Sequence, residues 1–208
     1  MKFSFDGHEG WKEHPIDYSN WSESVILLGD SCTYGYGLQE EDRLHNQILT
    51  DRIVNNFGYP GWSNEHCYKI FLKTVKEHGL PHKWIIGWTS PFRYILVENG
   101  LGISVGPWIA KNTWNRSPAK KASRDFFVEC QDTLLARTHD MIDAINLIDK
   151  NTFQFTFFDN LPKSDFPRVN NLFAPSEIHE YVFLDTSEDK THPGPKTIKK
   201  IAEDIGEL

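Results

Sequence analysis

The stretch Ser24-Val-Ile-Leu-Leu-Gly29-Asp30-Ser31-Cys32-Thr33-Tyr34-Gly35-Tyr36-Gly37 decides the fold class. Its first half is a short, unbroken apolar run ending in glycine, the pattern of a strand buried on both faces of a parallel sheet. Outward from it, helical and extended patterns alternate. Arg43 to Thr50 suits a brief helix and Arg52-Ile-Val-Asn-Asn56 a second strand, giving a β-α-β unit. From Ser63, the residues Tyr68, Phe71, Leu72 and Val75 recur at helical spacing, and Gly79 with Pro81 supplies the stop. His82-Lys-Trp-Ile-Ile-Gly87 reads as a third strand, Arg124 to Lys150 as a long amphipathic helix, and Phe153 to Phe158 as a fourth strand. Tyr181-Val-Phe-Leu184 is read as a fifth, and Pro193 to Ile205 as a closing helix.

These elements predict a single α/β domain over residues 1–208, with three layers (α/β/α), a five-stranded parallel sheet and an insert after strand three. Ligands of such sheets sit at the carboxyl ends of the strands. Two regions fall outside the alternation. Residues 1–23 form an N-terminal extension, and residues 92–123 form an insert in the place where lids are built, with a hairpin around Glu98-Asn-Gly100.

Composition narrows the function. With 22 Lys+Arg against 29 Asp+Glu, the net charge of −7 argues against a nucleic-acid binder. The basic stretch from Lys111 to Arg124 reads as a solvated loop. Met1 to Gly10 lacks the apolar core of a secretory signal, and no run reaches the roughly 18 to 20 apolar residues of a membrane span. The three cysteines, Cys32, Cys67 and Cys130, are widely spaced and suit free thiols, so a cytoplasmic location without a membrane partner is expected. Neither H-E-x-x-H nor paired C-x-x-C occurs, and no metal or other cofactor is expected.

Two motifs carry chemistry. Ser31 ends a buried strand and opens a glycine-rich turn, a place suited to a nucleophile, to an anion-binding loop or to a plain turn. Near the other end, Asp189-Lys-Thr-His192 places a carboxylate three residues before an imidazole. The Asp can hold Nδ1–H and leave Nε2 to take a serine proton. Asp185, seven residues from His192, fits a compact pair less well. Cys32 reads as a small packing residue and Asp30 as a side chain bonded to the turn backbone.

Four blocks together resemble the SGNH hydrolases, the GDSL-type esterase and lipase superfamily. They are Gly29-Asp30-Ser31 with its turn, Asn56-Phe-Gly-Tyr-Pro-Gly61-Trp-Ser63, Gly87-Trp88-Thr89-Ser90, and Asp189-x-x-His192. The resemblance implies a flavodoxin-like sheet, a Ser31-His192-Asp189 triad and ester hydrolysis through an acyl-enzyme. It also implies an oxyanion hole from the Ser31 and Gly61 N–H groups. Thr89 and Ser90 stand where the family pattern has Asn and Asp, so either is an expected third donor.

Of the 7 Trp, four map near this cleft: Trp62, Trp88, Trp108 and Trp114. They suggest an aromatic face for a small-molecule or carbohydrate ester. Two other readings compete with an active hydrolase. One is a catalytically weak or silent relative that binds carbohydrate, and the other an unrelated domain using the Gly35/Gly37 turn for phosphate.

Overall fold

Val25, Ile26, Leu27 and Leu28 form β1 (Val25–Leu28) and are all fully buried. A computed structural model describes residues 14–98, 101–105, 130–157 and 178–208. Within them follow α1 (Ser31–Tyr34), α2 (Leu44–Gln47), β2 (Val54–Asn56), α3 (Asn64–His78) and β3 (Lys83–Trp88). Next come the antiparallel pair β4 (Tyr94–Glu98) and β5 (Leu101–Val105), then α4 (Gln131–Ile148), β6 (Thr152–Thr156), β7 (His179–Glu180) and α5 (Pro195–Ile205).

The main sheet runs in the order β2-β1-β3-β6-β7 with every pairing parallel. Ile26 lies opposite Asn55 on one side and Trp84 on the other, so β1 is central and has no exposed edge. Alternation along the strands divides the apolar residues between two cores. Val25, Leu27, Ile85, Phe153 and Phe155 face Ile198, Ile201 and Ile205 of α5. Ile26, Leu28, Trp84, Ile86 and Trp88 face Phe71 of α3 and Ile142 and Ile145 of α4. Each fully buried aliphatic side chain contributes about 1.5 to 3 kcal/mol, and Ile198, Ile201 and Ile205 dock the 11-residue α5 on the sheet in this way.

The expected flavodoxin-like five-stranded sheet is corrected by the pairing. Four strands of three to six residues carry the sheet, and its last position is the two-residue β7. Tyr181 to Leu184 is not a strand. The Tyr181 N–H still reaches the Thr156 carbonyl at 2.9 Å, but from there the backbone turns to α5: the Leu184 and Asp185 N–H groups donate to Thr197 Oγ1 at 2.9 and 3.3 Å. Val182 and Leu184 are left about 60 % exposed, at 60 % and 59 %. Asp185 then accepts from the Lys196 and Thr197 N–H groups, both at 3.0 Å, satisfying the orphan donors at the start of α5. These bonds hold the Asp185 carboxyl below the usual carboxylate range against the opposing effect of its burial. Asp185 is thus a helix cap and takes no part in the histidine pairing.

The brief helix expected over Arg43 to Thr50 shrinks to the single turn of α2, and the long helix begins at Gln131 within the described residues. Among the described residues no helix is long and apolar enough to cross a membrane.

One packing detail fixes the top of the sheet. The Thr33 side chain is fully buried and wedges between two glycines: a Cβ on Gly29 would lie 2.1 Å from Thr33 Oγ1, and one on Gly87 would lie 2.3 Å from it. Both positions therefore exclude any side chain. Gly87→Ala is expected to lower stability by about 1 to 3 kcal/mol through overpacking, read as a fall in the urea midpoint with an unchanged slope.

Candidate active site

The turn that carries Ser31 is built by capping. Asp30 takes an extended conformation and its Oδ1 accepts the Cys32 N–H at 2.9 Å, which starts α1 with Ser31 as its first residue. Gly35 ends it in the left-handed region at φ 85°, where a Cβ would be strained. The Ser31 N–H, at the first helical position, has no acceptor within the helix. Its side chain stands at the carboxyl end of β1.

Asp189 and His192 come from the loop before α5. The Thr186–Pro193 bridge closes this loop, and Lys190 turns it at φ 59°. Asp189 Oδ1 accepts from Ser187 Oγ at 2.7 Å, the Thr191 N–H at 2.9 Å and the His192 N–H at 3.1 Å. Its other oxygen, Oδ2, lies 2.5 Å from His192 Nδ1, and His192 Nε2 lies 2.9 Å from Ser31 Oγ. A carboxylate only accepts, so the histidine proton sits on Nδ1 and Nε2 presents its lone pair to the Ser31 hydroxyl. Burial pushes the Asp189 carboxyl up, but the donors from Ser187, Thr191 and His192 outweigh it and hold the group well below the usual range. The carboxylate form of Asp189 is thus favoured by its own donors.

The loop after β2 runs beside this turn. The Phe57 N–H donates to Leu27 O at 2.8 Å and the Tyr59 N–H to Gly29 O at 3.0 Å, extending β1's pairing past the strand end. Gly61 follows in the left-handed region at φ 84°. Arg93, which no sequence pattern singled out, ties three loops together. Its Nη1 donates to Asp30 Oδ2 at 2.9 Å and to Trp62 O at 3.4 Å.

Thr89 is buried, and Asn64 holds both of its backbone groups: the Thr89 N–H donates to Asn64 Oδ1 at 2.9 Å, and Asn64 Nδ2 donates to Thr89 O at 3.0 Å. Asn64 Nδ2 also reaches Thr138 Oγ1 at 3.3 Å, so its amide is committed to positioning Thr89. Ser90 Oγ accepts the Phe92 N–H at 3.3 Å and serves the following turn. Cys32 is no rival nucleophile, because burial and the nearby Asp30 push its thiol well above its ordinary range.

The tryptophans separate. Trp62 is half-buried and stacks on Tyr59 at 5.1 Å and on His66 at 5.8 Å between ring centroids. The His66 ring is neutral in this stack, since burial with the nearby Lys69 pushes it down to about 4. Trp88 is 2 % exposed, packs in the α3/α4 core and donates from Nε1 to Gln154 Oε1 at 2.7 Å. Its expected place on a substrate face is corrected: on β3 it shares a face with Ile86 and Trp84, two and four residues back. Trp88→Ala is expected to cost about 3 to 5 kcal/mol of stability, measured by urea unfolding, with KM for any ester unchanged. Trp108 and Trp114 lie outside the described residues. The aromatic side chain found against the triad is Tyr36, whose ring centre is 5.1 Å from that of His192.

Metal-binding chemistry among the described residues gathers at His14, Glu40 and His45, whose ligand atoms lie within 4.8 Å of one another. Hydrogen bonding already occupies Glu40 and His45, while His14 Nε2 is buried with no hydrogen-bond partner among the described residues. Asn56 Nδ2 donates to His45 Nδ1 at 3.1 Å, so the His45 proton sits on Nε2 and faces Glu40 Oε1 at 3.0 Å. A metal on that nitrogen would require moving the proton to Nδ1, where the Asn56 amide already points. Asn56 itself is held by the Gly58 N–H at 2.8 Å and by Thr33 O at 3.2 Å, and Arg43 pairs with the second Glu40 oxygen at 2.7 Å.

No protein-family model and no curated protein matches the chain. Similar solved structures include the lipase Lip_vut3 from a goat rumen metagenome, 13 % identical over 88 % of this chain and 95 % of that one, with a TM-score of 0.47. A family 3 carbohydrate esterase of Clostridium thermocellum is 15 % identical over 87 % and 92 %, with a TM-score of 0.46. The psychrotrophic esterase EstA of Pseudoalteromonas, in a form inhibited by monoethylphosphonate, is 15 % identical over 88 % and 93 %, with a TM-score of 0.38. Likenesses at this level fix neither fold nor activity. The sheet has four strands of three to six residues and ends on the two-residue β7, where that resemblance implied a flavodoxin-like sheet of five. The family assignment read from the four blocks is accordingly withdrawn, and the residues are taken on their geometry alone.

Proposed function

We propose that the chain is a serine hydrolase that cleaves an ester bond of a small-molecule or carbohydrate substrate through an acyl-enzyme. The observation that carries this reading is the unbroken chain from Asp189 Oδ2 through the His192 ring to Ser31 Oγ, at 2.5 and 2.9 Å. Three such groups in hydrogen-bond contact at the carboxyl edge of a parallel sheet supply a nucleophile, its base and the group that orients the base.

His192 Nε2 takes the Ser31 proton as Oγ attacks the acyl carbonyl, and ionised Asp189 stabilises the imidazolium. The N–H groups of Ser31 and Gly61 offer donors to the oxyanion, with the Thr89 hydroxyl as a third. His192 then returns its proton to the departing alcohol. A water molecule, deprotonated by the same nitrogen, attacks the Ser31 ester and releases the acid, and His192 returns that proton to Ser31 Oγ as it departs.

The test joins an assay to a label. Purified protein should hydrolyse short-chain aryl esters and take up a fluorophosphonate probe on the peptide carrying Ser31, identified by mass spectrometry. A folded wild-type protein with neither property would overturn the reading.

A further inference from the structure

We propose that Ser187 is a positioning residue of this site, its hydroxyl fixing the rotation of the Asp189 carboxylate that orients His192. The inference rests on the serine-hydrolase reading and extends it to a residue whose contacts are with the Asp189 carboxylate and the His192 backbone, not with the imidazole.

A carboxylate turns easily about its last side-chain bond, because that torsion is broad and nearly two-fold. To hold His192, Asp189 must keep Oδ2 toward Nδ1. Two of the three donors to Oδ1, the Thr191 and His192 N–H groups, come from the backbone of the same turn. The third is Ser187 Oγ, at 2.7 Å the shortest of them. Its single proton has two acceptors in reach, since the His192 carbonyl lies 3.3 Å away. The shorter contact is also the charge-assisted one, so the proton goes to Asp189.

Ser187 is itself fixed. It is buried, and its N–H donates to His192 O at 3.0 Å. Behind it lies Gly37, at φ 75°, where a Cβ would come within 2.8 Å of Ser187 Oγ and 3.3 Å of Asp189 Cγ. Gly37 belongs to the turn that follows the nucleophile, and its carbonyl accepts the Glu188 N–H at 3.4 Å. The serine thus stands where the loop carrying the acid and base rests on the turn carrying the nucleophile.

The experiment compares Ser187→Ala with wild type in steady-state ester hydrolysis, fluorophosphonate labelling and the proton NMR signal of the His192 Nδ1–H. Losing one charge-assisted hydrogen bond corresponds to about a ten-fold to hundred-fold change. The expected result is a fall in kcat of about that size with KM unchanged, and an upfield shift or broadening of the downfield imidazole N–H resonance. A general loss of structure would not confine itself to kcat. Should Ser187→Ala fail to fold, Ser187→Cys keeps the volume with a weaker donor, and its kcat should fall below wild type with the same NMR change. An active, labelled wild type alongside folded variants of wild-type kcat would overturn the role of Ser187 and leave the hydrolase reading standing. An inert, unlabelled wild type would overturn both.

Discussion

Ser31→Ala is expected to lower kcat for ester hydrolysis by about 10⁶-fold, the scale on which removal of a triad serine acts elsewhere. That is about 8 kcal/mol of transition-state stabilisation at 1.36 kcal/mol per factor of ten. The two residues that follow Ser31 offer no substitute nucleophile. The Thr33 hydroxyl, two residues on, is wedged between Gly29 and Gly87, and the Cys32 thiol is held protonated. The fold should survive the change, because the Asp30 carboxylate and not the Ser31 side chain caps α1. Purified variant and wild type, matched by circular dichroism, would be compared on an aryl acetate. A variant within ten-fold of wild type would remove Ser31 from the mechanism.

Asp189→Asn is expected to cost about 10⁴-fold in kcat with little change in KM or stability, by analogy with the effect of a wrong histidine tautomer. The asparagine carbonyl can occupy the Oδ1 position and keep the donors from Ser187, Thr191 and His192. Its amide then replaces Oδ2 and offers a proton to His192 Nδ1 where the carboxylate accepted one. The ring proton is driven to Nε2, which faces Ser31 at 2.9 Å and loses its lone pair for the serine proton. Activity within ten-fold of wild type would show that His192 takes its tautomer from another partner, of which the nearest is Thr191 Oγ1 at 3.1 Å from Nδ1.

What was legible in the sequence was local. The run Val25 to Leu28 has no polar interruption, which suits only a central strand, and Asp189-x-x-His192 is a spacing that one turn of chain can close. What escaped depends on partners far along the chain. Tyr181 to Leu184 has strand-like residues, but its backbone is claimed by Thr197, and nothing near it in sequence announces that claim. Asn64 grips Thr89 from 25 residues away, and Arg93 reaches Asp30 across 63. Trp88 is different, since its burial was readable from its two-residue spacing to Ile86 and Trp84. Proximity to Thr89 along the chain pointed to the cleft, whereas strand alternation points the other way.

The 161 positions that separate Ser31 from His192 set when competence can arise. Neither half of the pairing has a partner until a loop of that size has closed, and closure at such separation is slow compared with forming any helix or turn within it. The closure is made by the apolar face of α5 on Val25 and Leu27, and the Leu208 N–H reaches Leu49 O at 3.1 Å beside it. A growing chain that has completed β1, β2 and β3 therefore carries the serine in an inert form. On the proposed mechanism, Ser31 gains its base only once the loop carrying His192 has been made and has docked.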